Sequence, residues 1–138
     1  MSIDKNSIVE LLTEARDARE NAHAPYSGFW VGAAVLCDSG KIYTGCNIEN
    51  ASYGLTVCAE RVAVMKAVSN GERRVRAIAI VTDGPDIAQP CGACLQVIAE
   101  FCTADEPAII VSGTVDLQYK VLDLNEYLPM PFRLKFCH

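Results

Sequence analysis

The chain has 138 residues, a net charge of −5, and 51% hydrophobic and 21% charged side chains. That length supports one domain spanning 1–138 with one core, and the composition excludes a disordered chain. The acidic balance argues against a nucleic-acid partner, whose binders are basic, and no apolar run is long enough to span a bilayer.

The first residues, "MSIDKNSIVE", carry acid and amide groups where a secretory leader would be apolar, so a cytoplasmic location is expected. "NSIVELLTEARDAREN" then opens with Ser7-x-x-Glu10, a capping-box pattern, and sets Ile8, Leu11, Leu12, Ala15 and Ala18 on one helical face. The Pro and Gly of "AHAPYSGF" stop that helix. "WVGAAVLC" and "IYTGCNI" read as a hairpin turned by "DSGK". "CAERVAVMKAVSNG" is a helix that ends at Asn70-Gly71. "VRAIAIVT" is a buried strand, "CGACLQVIAEFC" a helix behind Pro90, and "PAIIVSG" a further buried strand. "YKVLDL" reads as a short strand and "NEYLP" as a helical stub. A hairpin followed by strand–helix alternation predicts an α/β fold, a mixed β-sheet with helices packed on it.

Seven cysteines, an odd number without a secretory context, favour metal binding or buried thiols over disulfides. Cys37, Cys46, Cys102 and Cys137 are expected to be small core hydrophobes. Cys58 opens one predicted helix, and Cys91 and Cys94 open another. A helix N-terminus favours thiolate over thiol, and three thiolates suit Zn²⁺. A structural zinc site closes with four ligands, commonly two C-x-x-C pairs. Here one such pair meets a single cysteine, with His23 and His138 as spare donors better read as surface residues. Three protein ligands leave a position for water, and zinc makes that water acidic enough to supply hydroxide near neutral pH.

The hydroxide needs a partner for its proton, and Glu60 stands two residues from Cys58. At that spacing two helical side chains do not share a face, so the reacting molecule must lie across the helix end. Taken alone, Glu60 would be a first-turn acid favoured by the helix dipole. "CAE" followed by "PCGAC" matches, in order, spacing and proline, the three-cysteine version of the zinc-deaminase signature, in which the glutamate is acid and base but not a ligand.

The sequence resembles the cytidine deaminases, specifically the short, homotetrameric, three-cysteine class. The resemblance runs from "APYSGFWVGAAV" through "GCNIENASYG" and "CAERVAV" to "PCGACLQVIAEF" and "YLPMPF". It implies a three-layer sandwich with helices on both faces of the sheet and one Zn²⁺ per subunit. It further implies hydrolytic deamination of cytidine and 2′-deoxycytidine in pyrimidine salvage. By the same resemblance Asn47 and Glu49 bind the ribose hydroxyl, Phe29 packs on the nucleoside, and the Ala59 N–H holds the base carbonyl. Tyr53 and Phe132 are then contributed to a neighbouring subunit's pocket in a homotetramer. Arg61 lies three residues beyond Cys58, a spacing that shares a helix face, and would offset the formal −2 charge of zinc with three thiolates and hydroxide.

Two positions depart from the family pattern. Leu95 replaces an arginine after the second cysteine of the pair, and Gln89 replaces a serine before Pro90. Three alternatives stay open on the residues alone. A deaminase of another aminopyrimidine, such as blasticidin S, would be separated by a substrate panel. A polynucleotide deaminase runs against the acidic charge. A non-catalytic zinc module would close its metal with a fourth ligand and give Glu60 no task.

Overall fold

The structure, a computed structural model, describes residues 3–134. Helix α1 (Lys5–Arg19) is capped by Asp4, whose Oδ1 accepts a hydrogen bond from the Ser7 N–H at 2.8 Å. The expected Ser7 capping box is therefore displaced by one turn. Aspartate caps as well as serine does, and Asp4 reaches an N–H that the helix cannot satisfy by itself. Ile8, Leu11, Leu12 and Ala15 are buried, and Ala18 is half-buried at the stripe's edge.

The hairpin is β1 (Gly32–Cys37) against β2 (Ile42–Cys46), paired antiparallel from Gly32↔Cys46 to Leu36↔Ile42. Strand β3 (Val75–Thr82) pairs antiparallel with β1 and parallel with β4 (Ile109–Thr114). Strand β5 (Tyr119–Asp123) closes the far edge, antiparallel to β4. The sheet order is β2-β1-β3-β4-β5. Helices α2 (Ala59–Ser69) and α3 (Gly92–Glu100) and the short α4 (Leu124–Tyr127) complete the chain.

Strand alternation divides the core into two layers. On one face Ala34, Ala77, Ala79, Val81 and Val111 pack against α1. On the other Val35, Ile78, Ile80 and Ile110 pack against Ala63, Val64 and Ala67 of α2 and Leu95 and Ile98 of α3. Helices thus cover both faces of a mixed sheet, as expected. Two glycines set the closeness of those layers. A Cβ on Gly32 would fall 1.9 Å from the Ala15 carbonyl oxygen of α1. One on Gly45 would fall 2.5 Å from the Ala63 nitrogen and 2.8 Å from the Ala59 oxygen of α2.

Cys37 and Cys102 are buried in the core and Cys46 is half-buried. Cys137 and His138 lie outside the described residues. No helix among the described residues is long and apolar enough to cross a membrane. The start of β1 and the ends of β2 and β3 lie together at one end of the strands, beside the start of α2. In open α/β sheets the carboxyl ends of parallel strands are where ligands bind.

Candidate metal and nucleoside site

Cys58 is the N-cap of α2 and Cys91 the N-cap of α3, both with extended backbone. Cys94 sits in the first turn of α3, its N–H directed to Cys91 Sγ at 3.4 Å, with the two sulfurs 3.3 Å apart. The three Sγ atoms of Cys58, Cys91 and Cys94 lie within 4.8 Å of one another. Among the described residues this is the one cluster of metal-binding side chains; exposed His23 is outside it, held in a β-bridge to Ile48.

Such crowding is an electrostatic conflict, because neighbouring thiolates repel. Hydrogen bonds from Cys94 and from Arg61 push the Cys58 thiol down to about 5, against burial. The same Cys58 contact, together with burial, pushes Cys94 far up. One anion is thus accommodated at the expense of its neighbour. A divalent cation removes the conflict, and its preference for sulfur fits this donor set. Three soft donors within 4.8 Å of one another, on two helix ends, suit a zinc ion.

Arg61 projects along α2 so that Nη2 lies 3.6 Å from Cys58 Sγ and 3.5 Å from the Thr56 carbonyl oxygen. Its guanidinium is held even more firmly charged by the Cys58 contact. Leu95 is buried in the core beside Ile98 and reaches no sulfur-binding position. Arg61 is therefore the cation hydrogen-bonded to the cluster among the described residues.

Glu60 is 5% exposed. Burial raises its pKa, and the nearby Cys58 charge adds to the rise, so the carboxyl is poised to hold a proton. Its side chain opens on a cavity of about 210 Å³ lined also by Cys58, Cys91, Ala59, Phe29, Val31, Asn47, Thr82 and Gln89. Ala59 is the first residue of α2, so its N–H has no partner within the helix.

Asn47 reaches this cavity, but its amide also holds the local chain. Oδ1 accepts from the Val31 N–H at 2.9 Å, and Nδ2 donates to the Phe29 carbonyl at 2.7 Å. Glu49 stands in an adjoining depression with Tyr26, Ser27 and Tyr53, and Thr56 borders both hollows. Its Oε1 accepts from the Tyr26 and Ser27 N–H groups at 3.0 and 3.1 Å, and Oε2 from the Ser27 hydroxyl. These bonds, that from the Ser27 hydroxyl first, hold the Glu49 carboxyl below its ordinary range.

Phe29 lines the cavity while remaining 45% exposed. Tyr53 is 74% exposed, in an edge-to-face contact with Tyr26 at 5.7 Å. Phe132 is 69% exposed and lies away from the chain's own cavity, its backbone tied to Gln96 by bonds of 2.9 and 3.0 Å. The single chain therefore gathers Phe29, Asn47, Cys58, Ala59, Glu60, Cys91 and Cys94, sets Glu49 and Tyr53 beside them, and leaves Phe132 outside.

Some residues of the site carry no motif and escape a reading of the sequence. Thr82, Val31 and Thr56 line the cavity, and Gln89 does so with its side chain type changed from the family pattern. Thr82 had one visible signal, a polar residue closing an otherwise apolar buried strand. Arg19 is a second omission. It pairs with Asp83, donates to the Trp30 carbonyl at 3.0 Å and lies 5.7 Å from the centre of the Trp30 ring. It thereby fastens together the two chain segments that carry Phe29 and Thr82.

A mixed sheet with paired helix termini presenting three thiols and a buried carboxyl defines a zinc-binding deaminase fold. Residues 5–110 match the family described as the cytidine and deoxycytidylate deaminase zinc-binding region, and the chain belongs to that family. It is 50% identical over 111 residues to a cytidine deaminase of Sporosarcina psychrophila, covering 80% of this chain and 82% of the relative. To a cytidine deaminase of Halalkalibacterium halodurans it is 51% identical, covering 88% and 91%. The crystal structure of cytidine deaminase from Burkholderia pseudomallei superposes with a TM-score of 0.83 at 39% identity, over 94% of this chain and all of that one.

Proposed function

We propose that this chain is a single-domain hydrolase that deaminates cytidine and 2′-deoxycytidine to uridine and 2′-deoxyuridine with release of ammonia. The observation that carries the reading is a cluster of three thiols, two of which, Cys58 and Cys91, line one small cavity together with the buried carboxyl of Glu60. Relatives bearing the name cytidine deaminase at about half identity support the substrate class.

Cys58, Cys91 and Cys94 would hold one zinc ion per subunit. When bound, zinc supplies an acidified water and leaves the carboxylate free for proton traffic. The remaining tasks fall to side chains of this protein. Glu60 takes a proton from the attacking water and delivers it to ring N3. It then takes the remaining proton from the C4 hydroxyl of the tetrahedral adduct and gives it to the amine as the C4–N bond breaks and ammonia leaves. Its raised pKa suits a group that must hold the proton between those events. The Ala59 N–H donates to the base carbonyl, a contact strengthened by the helix terminus. Phe29 covers the base, and Asn47 and Glu49 fix the ribose. The bonds Glu49 already accepts from Tyr26 and Ser27 keep it ionised and aimed.

The exposure of Tyr53 and Phe132 supports their contribution to a neighbouring subunit's pocket in a homotetramer. Phe132 lies outside this chain's own cavity, so a role for it in a nucleoside pocket falls to that of a neighbouring subunit. We place the enzyme in cytoplasmic pyrimidine salvage, acting on free nucleosides rather than on polynucleotides. The direct test follows the ultraviolet change of cytidine on conversion to uridine. Conversion that a chelator abolishes and zinc restores is expected; zinc-loaded protein that leaves cytidine unchanged would contradict the reading.

A further inference from the structure

Among the described residues, three buried side-chain polar atoms have no hydrogen-bond partner: Arg61 Nε, Thr82 Oγ1 and Ser112 Oγ. Arg61 belongs to the thiol site, and Ser112 does not line the cavity. Thr82 does line it and is 2% exposed. Its backbone is fixed: it faces Thr114 in the parallel ladder, and its carbonyl accepts from the Val115 N–H at 3.1 Å. Arg19 pairs with the next residue, Asp83, and holds the chain as it leaves the strand. The residue therefore has a set position at the end of β3, at the same end of the sheet as Val31 and Asn47, which line the cavity with it.

A buried hydroxyl without a partner destabilises the free protein through lost hydration. Packing alone would favour valine here, since the strand before it reads "VRAIAIV" and valine has nearly the same shape. Polar groups that are unsatisfied in the free state and face a cavity are satisfied by what fills the cavity. We infer that Thr82 is a substrate-contacting, specificity-determining residue whose hydroxyl hydrogen-bonds the nucleoside bound in the cavity. The inference rests on the nucleoside reading of the site given above.

Because the contact is made with bound nucleoside and persists through the reaction, its loss raises KM more than it lowers kcat. The test compares Thr82→Val and Thr82→Ser with the wild-type enzyme, zinc-loaded, by cytidine kinetics and thermal unfolding. Thr82→Val is expected to raise KM roughly 3- to 10-fold, with kcat near wild type and a Tm equal to or above it. Thr82→Ser, which keeps the hydroxyl, is expected to restore KM to within about 2-fold. A valine variant with wild-type KM overturns the inference, as does a raised KM accompanied by a lowered Tm, the mark of a structural role. Wild-type enzyme without cytidine turnover would instead sink the nucleoside reading, and Thr82's role with it.

Discussion

Arg61 Nη2 lies 3.6 Å from Cys58 Sγ, one turn along the helix that Cys58 caps. The guanidinium is the cation that touches the sulfur cluster, so it limits the negative charge that three thiolates gather. Replacing Arg61 by alanine is expected to weaken zinc retention about 10- to 100-fold, the scale of losses when groups supporting metal ligands are removed. Competition with a chromogenic chelator measures it. Unchanged retention together with unchanged turnover would remove Arg61 from the site.

In the proposed mechanism Glu60 carries the proton traffic and does not bind the metal. Glu60→Gln preserves volume and the three sulfur donors while removing the acid. The variant should keep its zinc and its Tm and lose about 10²- to 10⁴-fold in kcat. Loss of zinc from the variant would instead make Glu60 a ligand.

Gly45 lets β2 lie against the first turns of α2, whose N-cap is Cys58. A methyl group there meets backbone atoms of Ala59 and Ala63, which cannot swing aside as a side chain would. Gly45→Ala should destabilise the fold by about 1–3 kcal/mol and loosen zinc binding in the same variant. Urea unfolding and metal retention, measured together, check both.

Asn47 bridges Val31 and Phe29 through its amide. Asn47→Ala leaves the Val31 N–H and the Phe29 carbonyl without their partner, at a cost of about 1–3 kcal/mol each if both stay dry. The expected result is a lower Tm and a higher KM together. A higher KM with the Tm unchanged would assign Asn47 to ligand binding alone.

Burial, then the charges of Glu72 and Asp38, push the Cys37 thiol up to about 11. In the unfolded chain the thiol ionises near its ordinary value of about 8.5. Between those values the unfolded state releases a proton that the folded state retains. Stability from this group is therefore complete below about pH 8.5 and declines as pH rises towards 11. Cys37→Ala should show a shallower fall of Tm over pH 8.5–11 than wild type; parallel curves would contradict the assignment.

The clustering of Cys58, Cys91 and Cys94 beside Glu60 was legible in the sequence because it depends on local spacing at helix starts. The hairpin, the apolar strand "VRAIAIVT" and the two helices opening at Cys58 and Cys91 were legible for a related reason. Turn residues and apolar periodicity act over a few positions. The helix cap was misplaced to Ser7 because Asp4 and Ser7 both satisfy the same preference, and only the folded backbone decides between them. Arg19 and Asp83 were not legible. Arg19 and Asp83 lie 64 positions apart in sequence, and their meeting is set by the sheet order β2-β1-β3, which brings the start of β1 against the end of β3. The dual use of Asn47 was hidden likewise, since its partners at Phe29 and Val31 lie across the hairpin.

X-ray absorption at the zinc edge, on purified protein without added ligand, tests most directly whether Cys58, Cys91 and Cys94 form an open site facing Glu60. One zinc per chain bound by three sulfur atoms and a single light oxygen donor is the expected spectrum. Four protein donors around the metal, or protein that holds no zinc at all, would contradict it.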